Sequence, residues 1–309
     1  MKKFILKLLC LGTVIIFSFI IVITIIYFVP PQYTDGYNAS ILDKYERLTS
    51  INEPKIILVG GSNFAFGIDS KLITDELNMP VVNLGLHAGL GSEFILELSK
   101  KGINSGDIII VGLEYALYKD SIDSSLAWTT IENNTYLYSC ITKEHIYEMI
   151  YNAPEYALNK AIKFIFNNDL NSGMYVRSAF NEYGDNIYNR TENIMEDEYL
   201  NTSMVTISNN ILMDDIIEYL NNYYDYAVEL GAEVYITFPC VNSLSIAEGT
   251  NIIGFYNKLK NEVNIPIISN IEDYILNPNL FYDTNYHLNN DGVRIRTNKL
   301  IEDIRKVQY

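Results

Sequence analysis

The sequence predicts an α/β domain, a three-layer sandwich around a central parallel sheet, carried on one N-terminal transmembrane helix. Three observations predict it. From residue 56 onward short apolar runs alternate with stretches of helical period, and such alternation places parallel strands between two layers of helices. Roughly a hundred residues separate the third strand pattern from the next helix, too many for a plain loop, so an insertion is expected at about 115–210. Finally, Lys2, Lys3 and Lys7 precede an uncharged run from Leu8 to Val29 that stops at Pro30-Pro31. A helix of that length can cross a bilayer.

Taken in order, residues 1–31 are the cytoplasmic tip and anchor, because lysines on the short flank keep that side in the cytoplasm. A cleaved signal peptide is the competing reading, yet the run is long for an h-region and no small-x-small site follows it. Residues 32–53 read as a linker, and 54–309 as the α/β domain. Strands are expected at Ile56–Val59, Val81–Leu84, Ile108–Val111, Val234–Phe238 and Ile265–Ile268. Helices are expected at Ser70–Leu77, Ser92–Lys101, Asp214–Leu230, Asn251–Val263 and Asp291–Val307, with Asp69, Ser92 and Thr250 placed to cap. The insertion reads as a mostly helical cap over the strand ends, from the spacing of Ile146, Met149, Ile150, Tyr156, Ala157, Ile162 and Ile165.

Composition removes several function classes. With 22 Lys+Arg against 38 Asp+Glu, the net charge is −16, and no basic cluster offers a nucleic-acid backbone a surface. Cys10 lies in the membrane run, and Cys140 and Cys240 alone do not make a disulfide framework. No metal motif is present. The glycine spacing from Gly61 to Gly67 fits neither a dinucleotide nor a phosphate loop, so no cofactor is expected.

What remains is nucleophilic chemistry. In an open parallel sheet the working loops leave the carboxyl ends of the strands. Ser62 follows the first strand after Gly60-Gly61, in a turn that exposes its oxygen. A serine needs a base, and of His87, His145 and His287 only His287 combines that edge with a nearby carboxylate, Asp283, able to hold its tautomer. His145 reads as a surface residue of the insertion. Asn83, His87 and Glu114 fall on the same edge as site-lining candidates, and Glu114 with Asp185 is a second possible acid pair.

These blocks resemble the SGNH/GDSL hydrolases: a strand then Gly-x-Ser at Gly60-Gly61-Ser62, an Asn-x-Gly turn at Asn83-Leu84-Gly85, and an Asp/His block at Asp283–His287. Phe180–Asp185 and Tyr282–Asn289 are similar to a membrane-anchored bacterial branch that accompanies membrane-bound O-acyltransferases in acylating surface polymers. The resemblance implies a Ser62/His287/Asp283 triad and an acyl-serine intermediate. It implies an extracytoplasmic transfer of acyl groups onto a cell-envelope polysaccharide, with an esterase or a non-catalytic glycan-binding protein as the alternatives. Amides of Ser62 and Gly85 would hold the oxyanion, aided by a side-chain amide from Asn63 or Asn181. The chain departs from the family twice. Glu114 stands in the third block where the family carries an oxyanion-donating Asn, and the Asp-to-His separation is one residue longer.

The flanking lysines lead to a topological expectation. A reporter fused after Tyr309 should be active outside the cytoplasm while the protein stays in the membrane fraction; a shortened, soluble product would show cleavage instead.

Overall fold

The computed structural model describes residues 1–119, 121–166, 173–196 and 203–308. At its centre are four parallel strands, β1 (Ile56–Gly60), β2 (Val81–Gly85), β3 (Ile108–Gly112) and β4 (Glu233–Ile236), in the spatial order β2-β1-β3-β4. Register is simple: Ile56 faces Val81 on one side and Ile108 on the other, and the row closes on Gly60 opposite both Gly85 and Gly112.

Side chains alternate across each strand, and here both sets are apolar. Ile57, Val59, Val82, Leu84, Ile109 and Val111 enter one core, with helices α5 (Ser92–Ser99), α8 (Asp214–Glu229) and α9 (Ile252–Glu262). Ile56, Leu58, Val81, Ile108 and Ile110 enter a second, with α3 (Ser62–Ala65), α4 (Ser70–Leu77) and α10 (Asn290–Gln308). Both faces of the sheet are therefore dry, as parallel sheets require.

The expected fifth strand, Ile265–Ile268, is reduced to one bridge between Ile236 and Ile267. Pro266 can accept from the Ile236 amide, at 2.8 Å, but has no amide of its own to extend a ladder. Two caps also shift. Asp69 accepts from Leu72 N at 3.0 Å as expected, whereas Ser92 is the first residue inside its helix, behind Gly91 at φ +80°. Asn251, one residue beyond Thr250, accepts from Gly254 N.

The stretch read as a linker is structured. It holds α2 (Ser40–Ser50), which buries Ile41, Lys44 and Leu48. This helix lies along β2, whose outer edge would otherwise expose unpaired backbone groups. Arg47 Nε donates to Val81 O at 2.8 Å, and Lys44 Nζ donates to Asn83 O, Gly85 O and Gly184 O at 3.1, 2.8 and 2.7 Å. Asn83 N in turn donates to Tyr183 O. A short 181–186 segment of the insertion thus takes the place of a neighbouring strand, and a buried ammonium holds it there.

Among the described residues the long helices of the insertion are α6 (Ser124–Ile131) and α7 (Ile146–Phe166); its positions 120, 167–172 and 197–202 lie outside the described residues. Residues 173–190 form short turns and isolated bridges that approach the strand ends; α6 packs against α7 and on the Ala88–Leu90 turn that follows β2, and α7 packs against α1 (Lys2–Phe28). Of the apolar residues that predicted a buried stripe on α7, Met149, Tyr156 and Ala157 are buried but Ile146, Ile150, Ile162 and Ile165 are exposed. His145, expected at the surface, is buried, with Nδ1 2.8 Å from Thr142 Oγ1. Cys140 and Cys240 are free and buried.

Helix α1 is long and apolar enough to cross a membrane. Its last carbonyls, which lack intrahelical partners, are met by the domain. Lys160 Nζ donates to Ile26 O at 3.1 Å, and Asn133 Nδ2 to Tyr27 O and Val29 O at 3.2 and 3.3 Å.

The Lys44 clamp generates a prediction. Lys44→Met should lower the unfolding free energy by about 3 kcal/mol or more, since each buried carbonyl left without a donor costs about 1–3 kcal/mol. Burial pulls the Lys44 ammonium down to about 7, against the opposing pull of Asp185 and Asp43. The unfolded chain then binds that proton more tightly, so wild-type stability should rise as pH climbs from about 7 toward the ordinary lysine range. Denaturant unfolding across that range should show the rise in the wild type and its loss in the variant.

Candidate active site

Gly61 ends β1's turn, and Ser62 opens α3, half-buried, at the row of glycines that closes the sheet. Gly61 is required by its neighbour: a Cβ there would stand 2.1 Å from Glu114 Oε2. Asn63, fully buried, fixes the turn. Its Nδ2 donates to Gly112 O at 3.0 Å, and its Oδ1 accepts from Arg296 Nη2 at 2.6 Å.

Across the cleft the chain doubles back at 281–288, where Phe281 and Leu288 form an antiparallel bridge and Tyr282 N donates to His287 O at 2.9 Å. Thr284 Oγ1 accepts from the His287 amide at 3.0 Å. This turn absorbs the extra residue between Asp283 and His287. His287 Nε2 lies 2.9 Å from Ser62 Oγ, and its Nδ1 lies 3.0 Å from Asp283 Oδ1. His287 is 6 % exposed, and its ring stacks on Phe66 with centroids 4.2 Å apart. Burial works to raise the Asp283 carboxyl, but the hydrogen bond and charge of His287, with a hydrogen bond from Tyr175, hold it below its ordinary value.

Ser62 has a second partner. Glu114 Oε1 accepts from Asn63 N at 2.7 Å and stands 3.1 Å from Ser62 Oγ. A serine hydroxyl has one proton to donate, so two arrangements compete. In one, Ser62 donates to neutral His287, the state ready for attack. In the other, Ser62 donates to ionised Glu114 and accepts from a His287 imidazolium. Glu114 is buried, and desolvation raises its carboxyl pKa despite the opposing Asn63 amide, His287 charge and Ser62 hydroxyl. Protonating Glu114 weakens its hold on the hydroxyl and favours the first arrangement.

The expected oxyanion donors are mostly engaged elsewhere. Gly85 N donates to Asn83 Oδ1 at 2.8 Å. Asn63 spends its side-chain amide on Gly112 and its backbone amide on Glu114. Asn181 Oδ1 accepts from Tyr183, Gly184 and Asp185 amides at 3.0, 3.1 and 2.9 Å, closing its own turn, while its Nδ2 lies toward Asp185. Among these candidates the Ser62 amide, first in its helix, has no intrahelical acceptor by geometry. Asn83 is fully buried, with Nδ2 donating to Phe64 O and Asp185 Oδ1, so it supports the turn and does not line the cleft. Asp185 pairs with Ser70 and Asn83, not with Glu114. His87 is exposed at the cleft, its Nδ1 accepting from Gly89 N at 3.0 Å, which leaves the proton on Nε2. Burial, the larger influence, and the His287 charge lower its pKa against the pull of Asp123.

Several site residues carry no sequence signal. Tyr175 Oη donates to Asp283 Oδ2 and lies 3.4 Å from His287 Nδ1. Buried Arg190 donates to Leu288 O at 2.9 Å and to Asn186 Oδ1 at 2.7 Å, tying the histidine loop to the insertion. Tyr37 packs among Phe66, His87, Tyr175 and Phe180. Its buried hydroxyl has no hydrogen-bond partner among the described residues, and it feels the Glu114 charge after the dominant effect of burial. An orphaned donor of this kind costs stability, and a substrate oxygen would satisfy it.

Replacing the acid tests the competition. Glu114→Gln keeps an oxygen for Asn63 N and Ser62 while removing the titration. A raised carboxyl stabilises the fold below the ordinary carboxylate range, and that contribution is lost as pH rises through the folded value. The variant should therefore be more stable than wild type at neutral pH and show a flatter pH dependence in urea unfolding.

In comparisons with family models, with curated proteins and with solved structures, nothing matches this chain.

Proposed function

We propose that this chain is a membrane-anchored, extracytoplasmic serine acyl-transfer enzyme of the SGNH/GDSL type, acting on a cell-envelope polysaccharide. The observation that carries the reading is the relay from Ser62 Oγ to His287 Nε2 at 2.9 Å and from His287 Nδ1 to Asp283 at 3.0 Å. Nucleophile, base and orienting carboxylate stand within hydrogen-bond reach, as covalent acyl transfer requires.

In this reading His287 Nε2 takes the Ser62 proton as Oγ attacks an acyl carbonyl. Asp283 stabilises the imidazolium, and Tyr175 holds the second Asp283 oxygen. As the tetrahedral species collapses, the bond to the leaving oxygen breaks, His287 returns its proton to that oxygen, and an acyl-serine remains. A sugar hydroxyl then gives its proton to His287 as its oxygen attacks the acyl carbonyl; the acyl–Oγ bond breaks and His287 returns that proton to Ser62 Oγ, restoring the serine. The Ser62 amide and the Tyr37 hydroxyl are the groups assigned to the oxyanion. Loss of one such donor costs about 3 kcal/mol, so Glu114 in place of an amide donor makes a slow hydrolase of small esters. Anchoring through α1, with the N-terminus cytoplasmic, puts the site where a membrane-bound O-acyltransferase can deliver acyl groups, and that enzyme is the proposed partner.

One observation favours a second reading: Gly85 N and the side-chain Nδ2 groups of Asn63 and Asn181 already have acceptors, which suits a glycan-binding or assembly protein that never forms an oxyanion.

Activity decides between them. Ser62→Ala and His287→Ala should each lower turnover of an activated acetyl ester by about 10³-fold or more, and the double variant should be little worse, because partners in one unit are not additive. Envelope acyl content in cells carrying each variant should fall in parallel. Wild-type levels of both in a folded, membrane-inserted Ser62→Ala protein would leave the binding reading standing.

A further inference from the structure

Helix α7 presents three faces. Met149, Tyr156, Ala157 and Lys160 are buried against the domain. Glu148, Glu155 and Asn159 form an exposed polar face. The third carries Tyr147, Ile150, Tyr151, Leu158, Ile162 and Ile165, exposed by 82, 57, 83, 59, 44 and 69 %. At 3.6 residues per turn these six fall within about one third of the circumference, a continuous stripe along a helix about 30 Å long. No charged residue interrupts it. An apolar surface of this extent marks a contact with something apolar.

What that is follows from where α7 sits. It packs on the end of α1, where Ile26 is buried and Val22 and Ile25 are half-buried. Lys160 from α7 donates to Ile26 O, and Lys163 lies 4.5 Å over the ring of Tyr33, just beyond the span. Beside this joint the lipid-facing surface of α1 continues through exposed Tyr27 and Phe28. A bilayer that surrounds α1 up to Val29 therefore meets α7 at its boundary, where tyrosines are favoured.

From this continuity we infer that α7 is an interfacial membrane helix, its apolar stripe seated at the headgroup–acyl boundary and giving the domain a second lipid contact. The inference rests on α1 being a membrane span. Bulky Tyr, Ile and Leu suit lipid chains better than a close-packed partner helix, whose seams favour small residues. The polar face carries Glu148 and Glu155, and the chain as a whole is at −16. Attachment therefore comes from apolar burial and not from attraction to anionic headgroups. Two contacts, one spanning and one lying flat, fix the tilt of the domain, and with it the direction in which Ser62 faces, relative to the bilayer.

The test is label accessibility in the full-length protein reconstituted in phosphatidylcholine nanodiscs. Single labels are placed through Ile150→Cys, Leu158→Cys and Ile165→Cys on the stripe, Glu148→Cys and Glu155→Cys on the polar face, and Ile16→Cys within α1, in a background with Cys10, Cys140 and Cys240 replaced by Ser or Ala and shown to fold by circular dichroism. Stripe labels should lose accessibility to a water-soluble relaxation agent and be quenched by brominated lipid, polar-face labels should stay accessible, and replacing half the lipid by phosphatidylglycerol should change neither. A lipid-quenched Ile16 label with water-accessible stripe labels overturns the inference while leaving the anchor intact. Stripe labels shielded from both water and lipid also overturn it, in favour of a protein contact. An Ile16 label open to water removes both the span and the inference built on it.

Discussion

The site depends on one feature of the sheet: three parallel strands end in register on glycine, with Gly60 opposite both Gly85 and Gly112. A side chain on this row would collide with its surroundings. A Cβ on Gly60 would lie 2.4 Å from Gly112 O, and one on Gly112 would lie 2.6 Å from the Phe64 ring. With the row bare, Phe64 packs down on the strand ends and α3 starts at once, so Ser62 leaves the sheet with no slack in the chain. The next residue, Gly61, admits the Glu114 carboxyl for the same reason. Ser62 and Glu114 are thus set against each other by the geometry of the paired strand ends. The histidine loop then closes over them from about 225 residues away in sequence.

Much of the sheet could be read from the sequence because its signals are local. Largely apolar runs, β1 to β3, mark strands buried throughout, and Asp69 or the Gly60-Gly61 pair mark a cap and a turn within a few residues. The Ser62, Asp283 and His287 positions were legible because strand order and the carboxyl-edge rule place such loops together whatever the contacts. Less legible was everything decided by a partner distant in the chain. The 32–53 stretch reads as a linker until Lys44 and Arg47 are seen facing the edge carbonyls of β2. Asn63 and Asn181 read as free side-chain donors, but Gly112 O and the Asp185 carboxylate accept from them. Tyr37 and Tyr175 are two among 25 tyrosines, and only their shared packing on Phe66, the ring that stacks on His287, singles them out.

The same distinction explains the two halves of the insertion. A helical apolar period says that a face must be covered without saying by what. On α7 only one flank of the apolar arc meets protein, and the other is exposed. Residues 173–190, with no period to read, supply the groups that complete the cleft: Tyr175 to Asp283, Arg190 to the histidine loop, and the 181–186 turn to the edge of β2. Periodic sequence therefore left a face to be covered, and aperiodic sequence built the cleft.

Glu114 gives this arrangement a chemical asymmetry. An amide in its place would donate to a developing oxyanion, whereas an ionised carboxylate repels one and also competes for the hydroxyl proton that His287 must receive. Both effects vanish when the carboxyl is protonated, and burial pushes it in that direction. An incoming acyl donor that displaced water from the cleft would deepen that desolvation, because charged forms lose most when solvent is excluded. On the acyl-transfer reading proposed above, binding of the acyl group and readiness of Ser62 would be linked through one proton: an ionised Glu114 holds the Ser62 hydroxyl, and a protonated one leaves it to His287.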